Sequence, residues 1–166
     1  IAAVHGYGGL VFHDVTNLTF AQKARDAGVD GLIAVAHGAG GHAGSLSPIA
    51  FLAELRQIFD GTLLLGGAFS TGAQVAAAQL MGADMAYIGT RFLVTKESSA
   101  PGGHKQMVLD SNAEDIVLTP AISGIPANFL RPSVLAAGRD PEHRAEMNLG
   151  TGSGSELKPC RDIWAA

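Results

Sequence analysis

Two histidines, His37 and His42, lie in the run Val35-Ala36-His37-Gly38-Ala39-Gly40-Gly41-His42-Ala43-Gly44-Ser45, directly after the apolar segment Gly31-Leu32-Ile33-Ala34-Val35-Ala36. A positioned imidazole exchanges a proton near neutral pH or, when charged, holds an anion. Glycines at 38, 40, 41 and 44 let backbone come close to a ligand, because glycine has no Cβ and tolerates positive φ. The run reads as the rim of an active site with His42 presented to a substrate. The plainer reading, in which His42 only caps backbone groups in a glycine turn, stays open beside it.

Other chemistries fit this run less well. Gly38-Ala39-Gly40-Gly41-His42-Ala43 matches the relaxed dinucleotide fingerprint, but Ser45-Leu46-Ser47-Pro48 intervenes before the next helix. The acid that would bind a ribose is also missing, since the following strand ends in Leu65-Gly66. No Gly-Lys-Ser/Thr marks a nucleotide phosphate loop. A His-x4-His pair without a nearby Cys or carboxylate is a poor ligand set, so no metal is expected. His13-Asp14 are neighbours in a strand and point to opposite faces, which argues against a dyad. His5, His104 and His143 read as surface residues, and Met81, Met85 and the alanine stripe as core.

A second constellation is Gly66-Gly67-Ala68 together with Gly89-Thr90, each at the end of an apolar strand and the start of a helix. Free N–H groups at helix starts bind phosphate, and in (β/α)8 barrels the phosphate site is commonly built from the loops after the last two strands. Arg91 would add charge there, or pair outward. Two ordinary tight turns are the alternative.

These residues need a scaffold of alternating strands and helices, and the pattern supplies one. Strands are expected at 10–15, 30–36, 62–65 and 83–88. The expected helices run from 18 to 27 capped by Thr16 or Asn17, from Pro48 to about Phe59 after Ser47, and through 73–81 after Ser70 or Thr71, with a short helix from Gly89. Leu18, Ala21 and Ala24 form one buried stripe, and Ile49, Leu52, Leu55 and Ile58 another. Gly28-Val29-Asp30 and Gly82-Ala83-Asp84 form a weak internal repeat in which a helix-ending glycine is followed two residues later by aspartate. From Glu97 the regularity fades: a helix is expected over 104–111, a short piece over 113–116, a loop with prolines over 120–132, and a mobile Gly/Ser stretch at 150–155.

At 166 residues, 47% apolar and 16% charged, the chain is the size of a single domain (1–166) with a buried core. A net charge of -4 with scattered cations argues against nucleic acid or an anionic membrane as partner. Cys160 is the lone cysteine, and no apolar run is long enough to span a membrane, so a soluble cytoplasmic protein is expected.

Taken together, Val29-Asp30-Gly31-Leu32-Ile33 leading to Gly40-Gly41-His42, then Leu65-Gly66-Gly67-Ala68-Phe69, Met81-Gly82-Ala83-Asp84 and Ile88-Gly89-Thr90-Arg91-Phe92, resemble the nitronate monooxygenase family over about residues 10–95. The resemblance implies an FMN-dependent α/β fold, a (β/α)8 TIM barrel of which these four βα units would be the second half. The first half would then come from another segment of the same protein or, failing that, from a homodimer. It puts the family's active-site histidine at His42 and the flavin against Gly41, with the FMN phosphate on Gly66, Gly67, Ala68, Gly89 and Thr90. Asp14 stands where some members carry lysine, and Val35 where an acid is found, which leaves substrate and flavin potential open. The implied reaction is oxidation of a nitronate or nitroalkane by molecular oxygen. A flavin-dependent reductase or dehydrogenase acting on an acyl thioester, and a non-catalytic phosphate-binding module, are the alternatives.

Overall fold

The apolar runs at 31–35 and 62–66 become neighbouring parallel strands, and the segments on either side extend the same sheet. A computed structural model describes residues 1–120 and 122–139. His143, the 150–155 stretch and Cys160 lie outside the described residues. The described residues form two compact units, one of residues 1–39 and 43–91, the other of residues 40–42, 92–120 and 122–139.

In the first unit, α1 (Ala2–His5) leads through a glycine turn to β1 (Phe12–Val15), followed by α2 (Leu18–Asp26), β2 (Gly31–Val35), α3 (Pro48–Ile58), β4 (Thr62–Gly66), α4 (Gly72–Leu80), β5 (Met85–Tyr87) and the start of α5 (Thr90–Leu93). The strands pair in parallel in the order β1-β2-β4-β5, as successive βα units require. Local chemistry sets the helix boundaries. The Asn17 side chain accepts the Phe20 N–H at 2.9 Å, and Thr71 and Gln74 form a reciprocal capping box. Ser47 precedes the Pro48 start of α3 without a side-chain cap bond.

Register decides which strand face is covered. Val15, Leu32, Ala34, Leu63 and Leu65 share one face and are fully buried against Ala21, Ala24, Phe51, Leu52, Leu55 and Ala78 of the helices. The other face carries Ile33, Val35 and Leu64, half-buried, with Met85 and Tyr87 exposed on the edge strand. Met85 is therefore not core: it sits in register with Leu64 on the less covered face. The same register sets His13 beside Leu32 and Asp14 beside Ile33, on opposite faces. In α3 the buried stripe is Phe51, Leu52 and Leu55, while Ile49 is 67% exposed. The helix is rotated from the expected stripe because Phe51 buries the larger apolar surface.

The second unit contains β3 (Gly41–His42), the remainder of α5, α6 (Gly102–Asp110), a 3-10 turn (Ala113–Asp115), β6 (Ile116–Thr119), β7 (Ala127–Leu130) and α7 (Arg131–Ala136). Its strands form an antiparallel sheet in the order β3-β7-β6. The expected proline loop over 120–132 is thus a hairpin and a helix start. Pro120 follows the end of β6, Pro126 precedes β7, and Pro132 occupies the first turn of α7, so the prolines punctuate regular structure without interrupting it. Val117, Ile122, Ala127, Phe129 and Val134 form this unit's own core. His104, expected at the surface, is buried in α6. The adjacent Lys105 ammonium donates to the carbonyls of Thr95 and Ser98, which holds the preceding segment against the first turn of α6.

Candidate active site

In the first unit the two glycine turns extend adjacent strand ends. Gly66 pairs in register with Tyr87, so Gly67-Ala68 and Gly89-Thr90 continue side by side beyond the carboxyl ends of β4 and β5. Carboxyl strand ends are where open and closed parallel α/β folds bind ligands. The individual residues differ in what they offer. Gly66 is the buried last residue of β4, and its carbonyl accepts the Ala36 N–H at 2.9 Å. Gly67 lies against β2's loop, where an added Cβ would stand 3.2 Å from the His37 carbonyl oxygen. Ala68 is exposed and adopts φ 62°, the one non-glycine residue with positive φ among those described. Holding an L-residue there costs about 1–2 kcal/mol, which surrounding structure must offset. Gly89 is exposed with nothing within 4 Å of an added Cβ, and Thr90 begins α5, whose first-turn N–H groups have no intrahelical acceptor.

The glycine-histidine run has more internal structure than a free rim. Gly38 adopts φ +92° and an added Cβ would stand 3.3 Å from the Ala68 Cβ, so its freedom serves contact with the β4 turn. The His37 N–H donates to the Leu46 carbonyl at 2.8 Å, and its side chain is exposed.

Gly41 and His42 belong to the second unit. There they form β3, with Gly41 opposite Asn128 and His42 opposite Ala127. The exposed His42 ring meets a residue that sequence reasoning missed: its Nε2 lies 3.2 Å from Ser123 Oγ. Ser123 in turn donates its hydroxyl proton to the Ile125 carbonyl at 3.0 Å. The only signal in the sequence was a turn-like Ser123-Gly124 between two prolines, which marks a bend but not what the bend faces.

No group of three or more His, Cys, Asp or Glu placed to hold a metal ion occurs among the described residues. No helix among them is long and apolar enough to cross a membrane.

A family model described as nitronate monooxygenase matches residues 1–161. The chain belongs to the nitronate monooxygenase family. A curated member, the nitronate monooxygenase of Paraburkholderia phytofirmans, is 35% identical over 151 residues, covering 85% of this chain and 41% of the relative. A carboxyl-CoA dehydrogenase acting on a hydroxy-methyl-oxo-octahydroindene skeleton, from Mycobacterium tuberculosis, is 29% identical over 138 residues, covering 81% of this chain and 39% of the relative. Among solved structures, nitroalkane oxidase from Streptomyces ansochromogenes superposes with a TM-score of 0.72 at 35% identity, covering 78% of this chain and 40% of that one. FabK from Thermotoga maritima does so with a TM-score of 0.71 at 28% identity, covering 79% and 42%. The chain therefore spans about two fifths of the length of the relatives it matches. Its four parallel βα units are a partial TIM barrel, the fold of these solved family relatives.

Proposed function

We propose that this chain carries the phosphate-binding turns and the active-site histidine of an FMN-dependent oxidoreductase that oxidises nitronates or nitroalkanes with molecular oxygen in the cytoplasm. The observation that carries the reading is the pair of turns on adjacent strand ends, Gly66-Gly67-Ala68 and Gly89-Thr90, in a chain of this family. Their chemistry fits a phosphate monoester: exposed backbone at Ala68 and Gly89, open space beside Gly89, the first-turn N–H groups of α5 that have no intrahelical acceptor, and the Thr90 hydroxyl. Gly41 would approach the cofactor through its positive φ of 74°. FMN held there supplies a two-electron acceptor that oxygen can reoxidise. His42 holds the nitro group or takes the proton from the nitro-activated carbon, the C–H electron pair moving onto the nitro oxygens.

An absorbance spectrum of the purified protein tests the cofactor. Anaerobic bleaching by a nitroalkane or nitronate, set against bleaching by NAD(P)H and reoxidation by an enoyl thioester, tests the substrate. The second reading, a flavin-dependent enzyme of acyl thioesters, is favoured by the likeness to the carboxyl-CoA dehydrogenase. Absence of flavin after reconstitution would leave a phosphate-binding module. His42→Asn is expected to lower turnover by about 10²–10⁴-fold with flavin content unchanged; undiminished turnover removes His42 from the chemistry.

A further inference from the structure

We propose that Ser123 is the positioning residue of His42, fixing its neutral ring as the Nε2–H tautomer so that Nδ1 is the nitrogen that works on substrate. The inference builds on the role given to His42 above. A serine hydroxyl has a single proton, and a carbonyl oxygen can only accept. Because Ser123 Oγ donates to the Ile125 carbonyl at 3.0 Å, its contact with His42 Nε2 at 3.2 Å must run the other way, from ring N–H to hydroxyl oxygen. Nε2 is then committed as a donor, and the free lone pair of the neutral ring is on Nδ1. Nδ1 has no hydrogen-bond partner among the described residues.

The pair is exposed, so water competes for both partners, and a bond of this kind persists only where the backbones beneath it are fixed. Both are. His42 is in ladder register with Ala127 of β7, while Ser123 sits in the connection that joins β6 to β7. That connection is closed by the Gly124 N–H donating to the Pro120 carbonyl at 2.7 Å, with Gly124 at φ +78°. One hairpin thus supplies both the strand that holds the histidine backbone and the hydroxyl that orients its ring. Proton transfer from a nitro-activated carbon would end with the proton on Nδ1 and an imidazolium whose Nε2–H still faces Ser123. The same bond therefore serves both charge states of the ring.

The experiment is a comparison of Ser123→Ala, Ser123→Thr and His42→Asn in the flavin-loaded protein, with ¹⁵N spectra of labelled histidine alongside steady-state kinetics. Wild-type His42 is expected to show a protonated Nε2 and an unprotonated Nδ1, and Ser123→Ala to populate both tautomers. Turnover in Ser123→Ala should fall about tenfold to a hundredfold through lost orientation, with KM little changed, and Ser123→Thr, which keeps the hydroxyl, should restore both the spectrum and the rate. A wild-type His42 protonated at Nδ1 overturns the proposal. Turnover lost in His42→Asn but kept in Ser123→Ala overturns the positioning role alone, whereas turnover kept in His42→Asn overturns the histidine's catalytic role and its positioner together.

Discussion

The Asp84 carboxylate closes on the strand beside its own: Oδ2 accepts the Leu63 N–H at 2.7 Å. The same oxygen accepts from Arg56 Nη2 at 2.6 Å, and the Arg56 guanidinium also donates to the Gly61 and Gly82 carbonyls. Asp30 repeats the device one βα unit pair earlier, with Oδ2 accepting the Val11 N–H at 2.7 Å and meeting His5 Nε2 at 2.8 Å. Each aspartate follows a helix-ending glycine of positive φ, Gly28 or Gly82. The Gly-x-Asp repeat is thus a clamp on the start of the preceding strand, at the end of the sheet away from the glycine turns, where barrel residues serve stability.

Removing that clamp should cost stability and leave the turns intact. Asp84→Ala is expected to lower the unfolding free energy by about 1–2 kcal/mol, a modest figure because the carboxylate is half-exposed and screened. A urea titration reads it as a lower midpoint at unchanged slope. A midpoint equal to that of wild type would mean water replaces the carboxylate without loss.

The same contacts set an acid limit. The Leu63 N–H, then Arg56, hold the Asp84 carboxyl below its ordinary value, as the Val11 N–H, then His5, do for Asp30. A carboxylate whose folded pKa is depressed stabilises the fold above its unfolded pKa of about 3.9 and loses that contribution as pH falls through the folded value. Thermal midpoints should therefore drop below about pH 4, and drop less steeply in an Asp30→Asn/Asp84→Asn double variant. Parallel acid slopes in the two proteins would contradict this.

Gly44→Ala should be among the costlier glycine substitutions. Its Cβ would stand 2.7 Å from the Val35 carbonyl oxygen and 3.0 Å from that of Thr16, both backbone atoms that yield only if β1 or β2 moves. Overpacking of this kind costs about 1–3 kcal/mol, measurable by thermal or urea unfolding.

Gly89→Ala separates folding from ligand binding. With open space around the Cβ position and no positive φ, stability should stay within about 0.5 kcal/mol of wild type. If the turn cradles the FMN phosphate, the added methyl lowers flavin retention on dialysis. Full retention would move the phosphate away from Gly89.

The scaffold was legible where its cause is local. Pro48 and the helix-ending glycines Gly28 and Gly82 mark helix ends within a turn of chain, and of the cap pairs Thr16 or Asn17 and Ser70 or Thr71 the structure selects Asn17 and Thr71. The strands at 12–15, 31–35, 62–66 and 85–87 announced themselves by apolar runs spaced as parallel units. Errors arose where packing chose between near-equivalent options. Ile49 and Phe51 both fit an apolar helical stripe, and only the neighbours of α3 turn Phe51 inward. His104 reads as a surface residue from its turn-like surroundings, yet α6 holds it buried.

Helix caps, turn glycines and strand periodicity, all readable within a few residues, were enough to specify the βα units and the order of their glycine turns. What surrounds His42 was not. Its strand has two residues, too short for any periodicity, and pairs with β7 far along the chain, while the Ser123 hydroxyl that meets its ring is 81 residues away. Register across such a separation follows from the hairpin's own core of Val117, Ala127 and Phe129, so the partner of the histidine exists only once that core has formed.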